Sequence, residues 1–195
     1  MSAPLRALIV AVVMTAAMAT YFVLAHSTSP AWSTHSPLDD AVPRWAPAVW
    51  VYLSIYIVAP ALAFTVDEAR FRQLLRPGLL LVTVTLALFA LVPTVVERPV
   101  VESFAGDDSW SAQLLRLTYA VDSTARNAAP SGHVSFTLFL VAAAAGGARA
   151  PARVVLWAFA VAVCLSTLLT GQHHLADVAS GAALCWLCLQ WRSRS

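Results

Sequence analysis

The feature that most constrains this chain is a series of apolar runs, most of them long enough to cross a bilayer as a helix. They cover Ala7–Ala25, Ala46–Val66, Gly78–Val92, Ser131–Ala148, Val154–Gly171 and Leu175–Trp191. Only His133 and Asp177, both near run ends, interrupt them with an ionisable group. A spanning helix needs roughly 20 apolar residues. The expectation is an all-α fold, an integral membrane bundle of six transmembrane helices, forming one domain over residues 1–195. Composition argues against a soluble alternative, because 59% of the residues are apolar and 11% are charged. So few charges cannot screen so much apolar surface from water. Arg6 before the first run resembles a signal peptide, but the length of the run and the lack of a small-x-small cleavage site favour a retained helix.

Six crossings divide the charges cleanly. One side collects Arg6, Arg70, Arg72, Arg76, Arg149, Arg153, Arg192 and Arg194 against Asp67 and Glu68, a balance of +6. The other collects Arg44, Arg98, Arg116 and Arg126 against Asp39, Asp40, Glu97, Glu102, Asp107, Asp108, Asp122 and Asp177, a balance of −4; the two reproduce the net +2. The positive-inside rule then places both termini in the cytoplasm of a multi-pass protein of the cell (plasma or inner) membrane. Trp32, Trp45, Trp50 and Trp110 fall near the outer boundary and Trp157, Trp186 and Trp191 near the inner one, as interfacial belts do. The slight basicity is a topology signal, so no nucleic-acid partner is expected. Cys164, Cys185 and Cys188 sit inside spans and read as buried apolar thiols.

The connections differ in content. Pro77 suits the first turn of the third helix. Ser27–Trp45, with three prolines, is an outer loop without obvious chemistry. The long outer segment Pro93–Pro130 is the informative one. Within it Trp110, Leu114, Leu117 and Val121 recur at helical spacing, with Ser111, Arg116 and Asp122 opposite. That stripe predicts an amphipathic helix that lies on the membrane surface or packs over the bundle.

Three clusters near outer run ends carry chemistry: Arg98-Pro99, Pro130-Ser131-Gly132-His133, and Ser166 to Asp177 with His173, His174 and Asp177. Topology read from arginines alone brings all three to one face. The fourth and sixth helices enter from that face, so their N-terminal N–H groups attract phosphate there. Arg98 supplies a permanently charged planar fork. His173 and Asp177 are four apart, and a carboxylate so placed can orient an imidazole. His133, on another helix, is available as a general acid. A zinc triad of His133, His173 and Asp177 is the competing reading. Arg98 and the phosphate-suited helix ends favour an anion site, so no metal or other cofactor is expected.

These clusters resemble the type-2 phosphatidic acid phosphatase superfamily, whose motifs are Lys-(x6)-Arg-Pro, Pro-Ser-Gly-His and Ser-Arg-(x5)-His-(x3)-Asp. The resemblance runs from Pro93 to Asp177. It implies His173 as a nucleophile forming phosphohistidine, Asp177 orienting it, and His133 donating the leaving-group proton. It implies Arg98, Ser131 and Gly132 as ligands of the phosphoryl oxygens. Two motif cations are missing: the lysine position is Leu91 and the arginine position is Thr167. The pattern is similar to the inositol phosphorylceramide synthase-like branch, in Pro93-Thr94…Arg98-Pro99 and in Tyr119…Asp122…Asn127. Arg126 reads equally as a substitute phosphate ligand or as a solvated loop arginine. The implied function is a metal-independent lipid phosphatase acting on a phosphomonoester or diphosphate lipid at the outer face, with membrane lipids as surroundings. A lipid phospho-head-group transferase is the alternative, and the missing cations leave open a non-enzymatic degenerate relative.

Overall fold

The computed structural model describes residues 1–27, 31–98 and 107–191. Pro99, Glu102, Arg192 and Arg194 lie outside the described residues. Among the described residues there are seven α-helices: α1 (Ala3–Ser27), α2 (Ala48–Thr65), α3 (Glu68–Leu91), α4 (Trp110–Val121), α5 (Gly132–Ala145), α6 (Ala150–Leu169) and α7 (Leu175–Trp191). The all-helical expectation holds apart from two strands of two residues each.

Helices α1, α2, α3 and α6 are long and apolar enough to cross a membrane, whereas α5 and α7 are shorter apolar helices. The run Ser131–Ala148 gives a helix of only 14 residues, about 21 Å at 1.5 Å per residue. The shortening has local causes. Ser131 caps the start by accepting from the Val134 N–H, and Gly146 caps the end. Arg70 lies against Gly146, where an added Cβ would fall 1.9 Å from the guanidinium carbon. Its guanidinium donates to the carbonyls of Ala143 at 2.7 Å and Ala142 at 2.9 Å, satisfying acceptors that helix ends leave open.

Helix α3 corrects the reading of Pro77. It begins at Glu68, so Pro77 stands within the helix and not in its first turn. The Asp67 carboxylate accepts from the Arg70 N–H at 2.9 Å, and Glu68 lies at the positive end of the helix dipole. This capping starts the helix well before the apolar run.

Helix α5 forms the axis of the bundle, in contact with α2, α3, α6 and α7. Val134, Ser135, Thr137 and Val141 are fully buried along it. Helix α7 approaches its start at Gly181, where a Cβ would come 2.7 Å from the Ser131 carbonyl oxygen. The outward faces carry exposed Ile57, Leu79, Val154, Val161 and Leu187. All seven tryptophans are exposed as well.

One end of the bundle is roofed. Strand β1 (Trp32–Ser33) pairs in parallel with β2 (Thr94–Val95), and Val95 bridges to Arg126. Helix α4 lies where the stripe predicted a helix, but its buried residues are Ala112, Leu115 and Tyr119, packed with Ala46 and Val49. Trp110, Leu117 and Val121 are exposed on another side of the helix, where Leu117 and Val121 border the cavity described below. The helix thus has two apolar sides, and the one that fastens it to the bundle escaped the stripe because small Ala112 and amphipathic Tyr119 define it.

Candidate active site

The third motif cluster forms a tight reversal between α6 and α7. Gly171 takes a positive φ of 65°, a conformation that glycine adopts without steric cost. The Thr167 carbonyl accepts from the N–H groups of Gln172 at 3.1 Å and His173 at 3.2 Å. His173 therefore stands just before α7, while Asp177 lies in its first turn. The fully buried Asp177 carboxylate accepts from the His174 N–H at 2.8 Å and lies 3.5 Å from Nδ1 of His173. The sequence spacing placed both on one helix face. The structure joins them differently, with the carboxylate capping the helix and facing the imidazole from inside it.

The second cluster is tied to the third through main chain, since the Ser131 N–H donates to the Asp177 carbonyl at 3.0 Å. His133, in the first turn of α5, lies with its ring centroid 6.2 Å from that of His173. Two residues that sequence reasoning missed hold it. Tyr52 stacks on the imidazole at 4.0 Å, and the Tyr56 hydroxyl is 3.2 Å from its Nε2. Their spacing of four puts both on one face of α2, the signal that could have found them. Ser131 itself is fully buried, its hydroxyl caps α5, and it does not line the cavity described below; Gly132 does.

Arg98 arrives from the other side. Its guanidinium pairs with the Asp122 carboxylate, donates to Gln172 Oε1 at 2.6 Å and lies 5.1 Å over the Tyr119 ring. The Tyr119 hydroxyl donates to the Thr170 carbonyl, fixing α4 to the histidine loop. Arg126 stands in a turn whose neighbours Ala125 and Asn127 have positive φ, 51° and 57°. Arg126 lines the same cavity as Arg98. Leu91, at the motif lysine position, is 78% exposed and away from that cavity. Thr167, at the motif arginine position, is fully buried.

The loop Ser27–Trp45, which carried no obvious chemistry in the sequence, proves to be a brace. Asp39 accepts from the Leu175 N–H at 2.7 Å, Thr34 meets His174 Nδ1 at 2.9 Å, and Arg44 donates to the Leu168 carbonyl at 2.8 Å. Burial would raise the Asp39 carboxyl, but hydrogen bonds from Ser36 and Leu175 outweigh it and hold the group below the usual carboxylate range. Burial lowers His174 against the opposing pull of the Asp177 and Asp39 carboxylates. Long-range braces of this kind leave no local pattern in a sequence.

These groups converge on a partly open cavity of about 410 Å³ lined by α1 to α5 and the motif loops. Arg98, Asp122, Arg126, His133, Gln172 and His173 line one end, and Met14, Phe22, Leu53, Leu86 and Phe89 are among the apolar walls of the rest. Among the described residues, buried polar atoms without a partner include Arg98 Nε, Asp122 Oδ1, Gln172 Nε2, His173 Nδ1 and Asp177 Oδ1. Buried polar groups are ordinarily paired. Arg98, Asp122, Gln172 and His173 line the cavity, and their open polar atoms suit a bound polar group, with an apolar body lying along the walls.

No curated protein and no solved structure matches the chain. A family model described as the PAP2 superfamily matches residues 34–191, which take in the brace, Arg98 and both histidine clusters. With all these elements inside the match, the chain belongs to the PAP2 superfamily, whose members are generally phosphatases.

Proposed function

We propose that the protein is an integral-membrane lipid phosphatase that hydrolyses a phosphomonoester or diphosphate lipid through a phosphohistidine intermediate. The observation that carries this reading is the cavity itself, with its histidines and arginines at one end and a long apolar body behind them. Four helices have the length of a crossing; the apolar character of α5 and α7 supports two further, short spans, with α4 at the interface. The arginine distribution supports cytoplasmic termini and a site on the outer face of the cell membrane.

In this mechanism His173 Nδ1 carries its proton toward Asp177, which leaves the Nε2 lone pair for attack on phosphorus. The new N–P bond forms as the bond from phosphorus to the lipid oxygen breaks. His133 gives its proton to that departing oxygen, and the freed lipid alcohol, or the lipid monophosphate where the substrate is a diphosphate, leaves along the apolar walls. Water then attacks the phosphohistidine, its proton passes to His133, and phosphate is released with both imidazoles restored. Arg98, Arg126 and the N-terminal end of α5 at Gly132 stabilise the equatorial phosphoryl oxygens. Arg126 takes the place of a missing motif cation. The 3.5 Å separation of His173 and Asp177 is longer than a hydrogen bond and tightens as the imidazole becomes charged.

Transfer to a hydroxyl acceptor is the second reading. It is favoured by Asp122, whose Oδ1 is unpartnered among the described residues and whose side chain lines the cavity. That oxygen is placed to accept from an incoming hydroxyl, and Asp122 with Tyr119 and Asn127 carries the resemblance to the inositol phosphorylceramide synthase-like branch. Purified protein incubated with lipid phosphates, with and without lipid alcohols, tests both readings through free phosphate and new phospholipid products. Phosphate release alone supports hydrolysis, new lipid products support transfer, and neither product from any lipid phosphate overturns the enzymatic reading.

A further inference from the structure

A second, smaller cavity of about 110 Å³ lies in the other half of the bundle. Its walls are almost wholly apolar, and four of the helices that line the large cavity, α1, α2, α3 and α5, line it too. On α1 the large cavity runs from Phe22 to Met14, and the small one from Met14 to Ile9. On α5 the large cavity runs from Gly132 to Phe136, and the small one from Phe136 to Ala143. On α3 the order repeats, with Phe89 to Thr85 above and Val82 to Phe71 below. Met14 and Phe136 line both cavities, and both are only partly buried. From Phe22 to Ile9 the two together extend about 20 Å along α1, taking 1.5 Å per residue.

We propose that the two cavities are one tract for a single hydrocarbon tail, closed midway by Met14 and Phe136, and that this neck sets the tail length the protein accepts. The proposal rests on the reading of the motif end as the site of the phosphorylated head. With the head at His173, a tail can run down the apolar walls that Leu53, Leu86, Phe89 and Met14 provide. A short tail ends above the neck. A longer one meets two side chains that are unbranched or planar and therefore able to swing, but that fill the passage when at rest. The small cavity below would then be vacant space that a chain enters only when the neck is cut back. Phe136 lies one helical turn below His133 on α5, so tail length and proton donor are read by the same helix.

The test uses alkyl phosphates of eight and sixteen carbons, each with a terminal diazirine, on the full chain in detergent below the micellar concentration of the probe. Crosslinked peptides are mapped for wild type, Phe136→Ala and Met14→Ala, with thermal unfolding checked for each. In wild type the short probe should label the large cavity and the long probe should leave Leu74, Phe139 and Ala143 unlabelled. Either substitution should bring label from the long probe to those residues. Turnover of the sixteen-carbon relative to the eight-carbon phosphate should rise by about tenfold, the discrimination one methylene can carry in an apolar pocket. Label at Leu74 or Phe139 in wild type shows that no neck exists and overturns the proposal. Absence of that label in both folded variants shows that the cavities do not join and overturns it too. The labelling needs no turnover, so a shift in label without phosphate release would uphold the tract and refute the phosphatase reading.

Discussion

The two ends of this bundle treat charge in opposite ways. At the end opposite the motifs, several charges among the described residues are satisfied within the fold. Arg70 donates to two carbonyls of α5, Arg6 donates to the Met1 carbonyl at 2.7 Å, and Glu68 pairs with the Met1 ammonium and Arg72, each at 2.5 Å. At the motif end, polar atoms are buried and left open. Of the eight buried side-chain atoms without a partner among the described residues, seven belong to Arg98, Asp122, Asn127, Gln172, His173, His174 and Asp177, and one to Thr137. An unpaired buried polar group costs free energy, whereas a capped helix end gains it. One end therefore holds the helices together, and the other keeps unsatisfied chemistry ready for a ligand.

The sharpest way to break that contrast is at His173. His173→Ala should reduce turnover of every phosphate substrate to background, because no covalent intermediate can form. Its thermal stability should stay near that of wild type, since the ring's Nδ1 makes only a long 3.5 Å approach to Asp177. A steep loss of stability would show that the histidine is structural. His133→Ala should lower turnover of a lipid phosphate by about 10²–10⁴-fold. It should lower turnover of a nitrophenyl phosphate far less, since that leaving group departs as the anion. Equal losses on both substrates, in a folded variant, would make His133 a phosphate ligand and not the acid.

Arg70→Ala probes the other end. It removes the cap of α5, so unfolding should become easier by about 1.5–3 kcal/mol, measured by thermal or denaturant melting in detergent. The turnover of the folded fraction should change little, because the carbonyls that Arg70 caps, those of Ala142 and Ala143, lie far along α5 from His133. A selective loss of turnover with unchanged stability would reverse the division of labour drawn between the ends.

Asp39 sharpens the comparison, being a satisfied charge at the motif end. Its folded carboxyl is held below the usual value, so its contribution to stability is fully present above the unfolded carboxylate pKa of about 4. That contribution is lost as pH falls through the lower folded value. Asp39→Asn should therefore destabilise by about 1–2 kcal/mol at neutral pH, and melting curves of variant and wild type should converge once pH falls below the folded value. A gap that persists in acid would show that its charge is not what matters. The smallest expected effect is that of a chelator, which should leave turnover unchanged. Activity lost on chelation and restored by zinc or magnesium would replace the phosphohistidine mechanism.

The helical character of the chain, the side-by-side placement of the motif clusters and the identity of His133, His173, Asp177 and Arg98 as candidates were all legible in the sequence. Apolar runs act locally, through burial of contiguous side chains, and short motifs keep their residues together wherever the fold puts them. Capping was only half legible: Asp67 before Glu68 could have moved the start of α3, but the apolar run beginning at Gly78 dominated the pattern. The tertiary structure alone decided that Tyr52 and Tyr56 hold His133, that Asp122 and Gln172 hold Arg98, and that Asp39 and Thr34 brace the histidine loop. It also decided that α4 binds through Ala112, Leu115 and Tyr119, and that Arg126 lines the cavity. Each of these joins segments distant in the chain, and their pairing depends on where helices stop and how closely they pack. Sequence periodicity records which face of a segment avoids water, but not which partner will cover it.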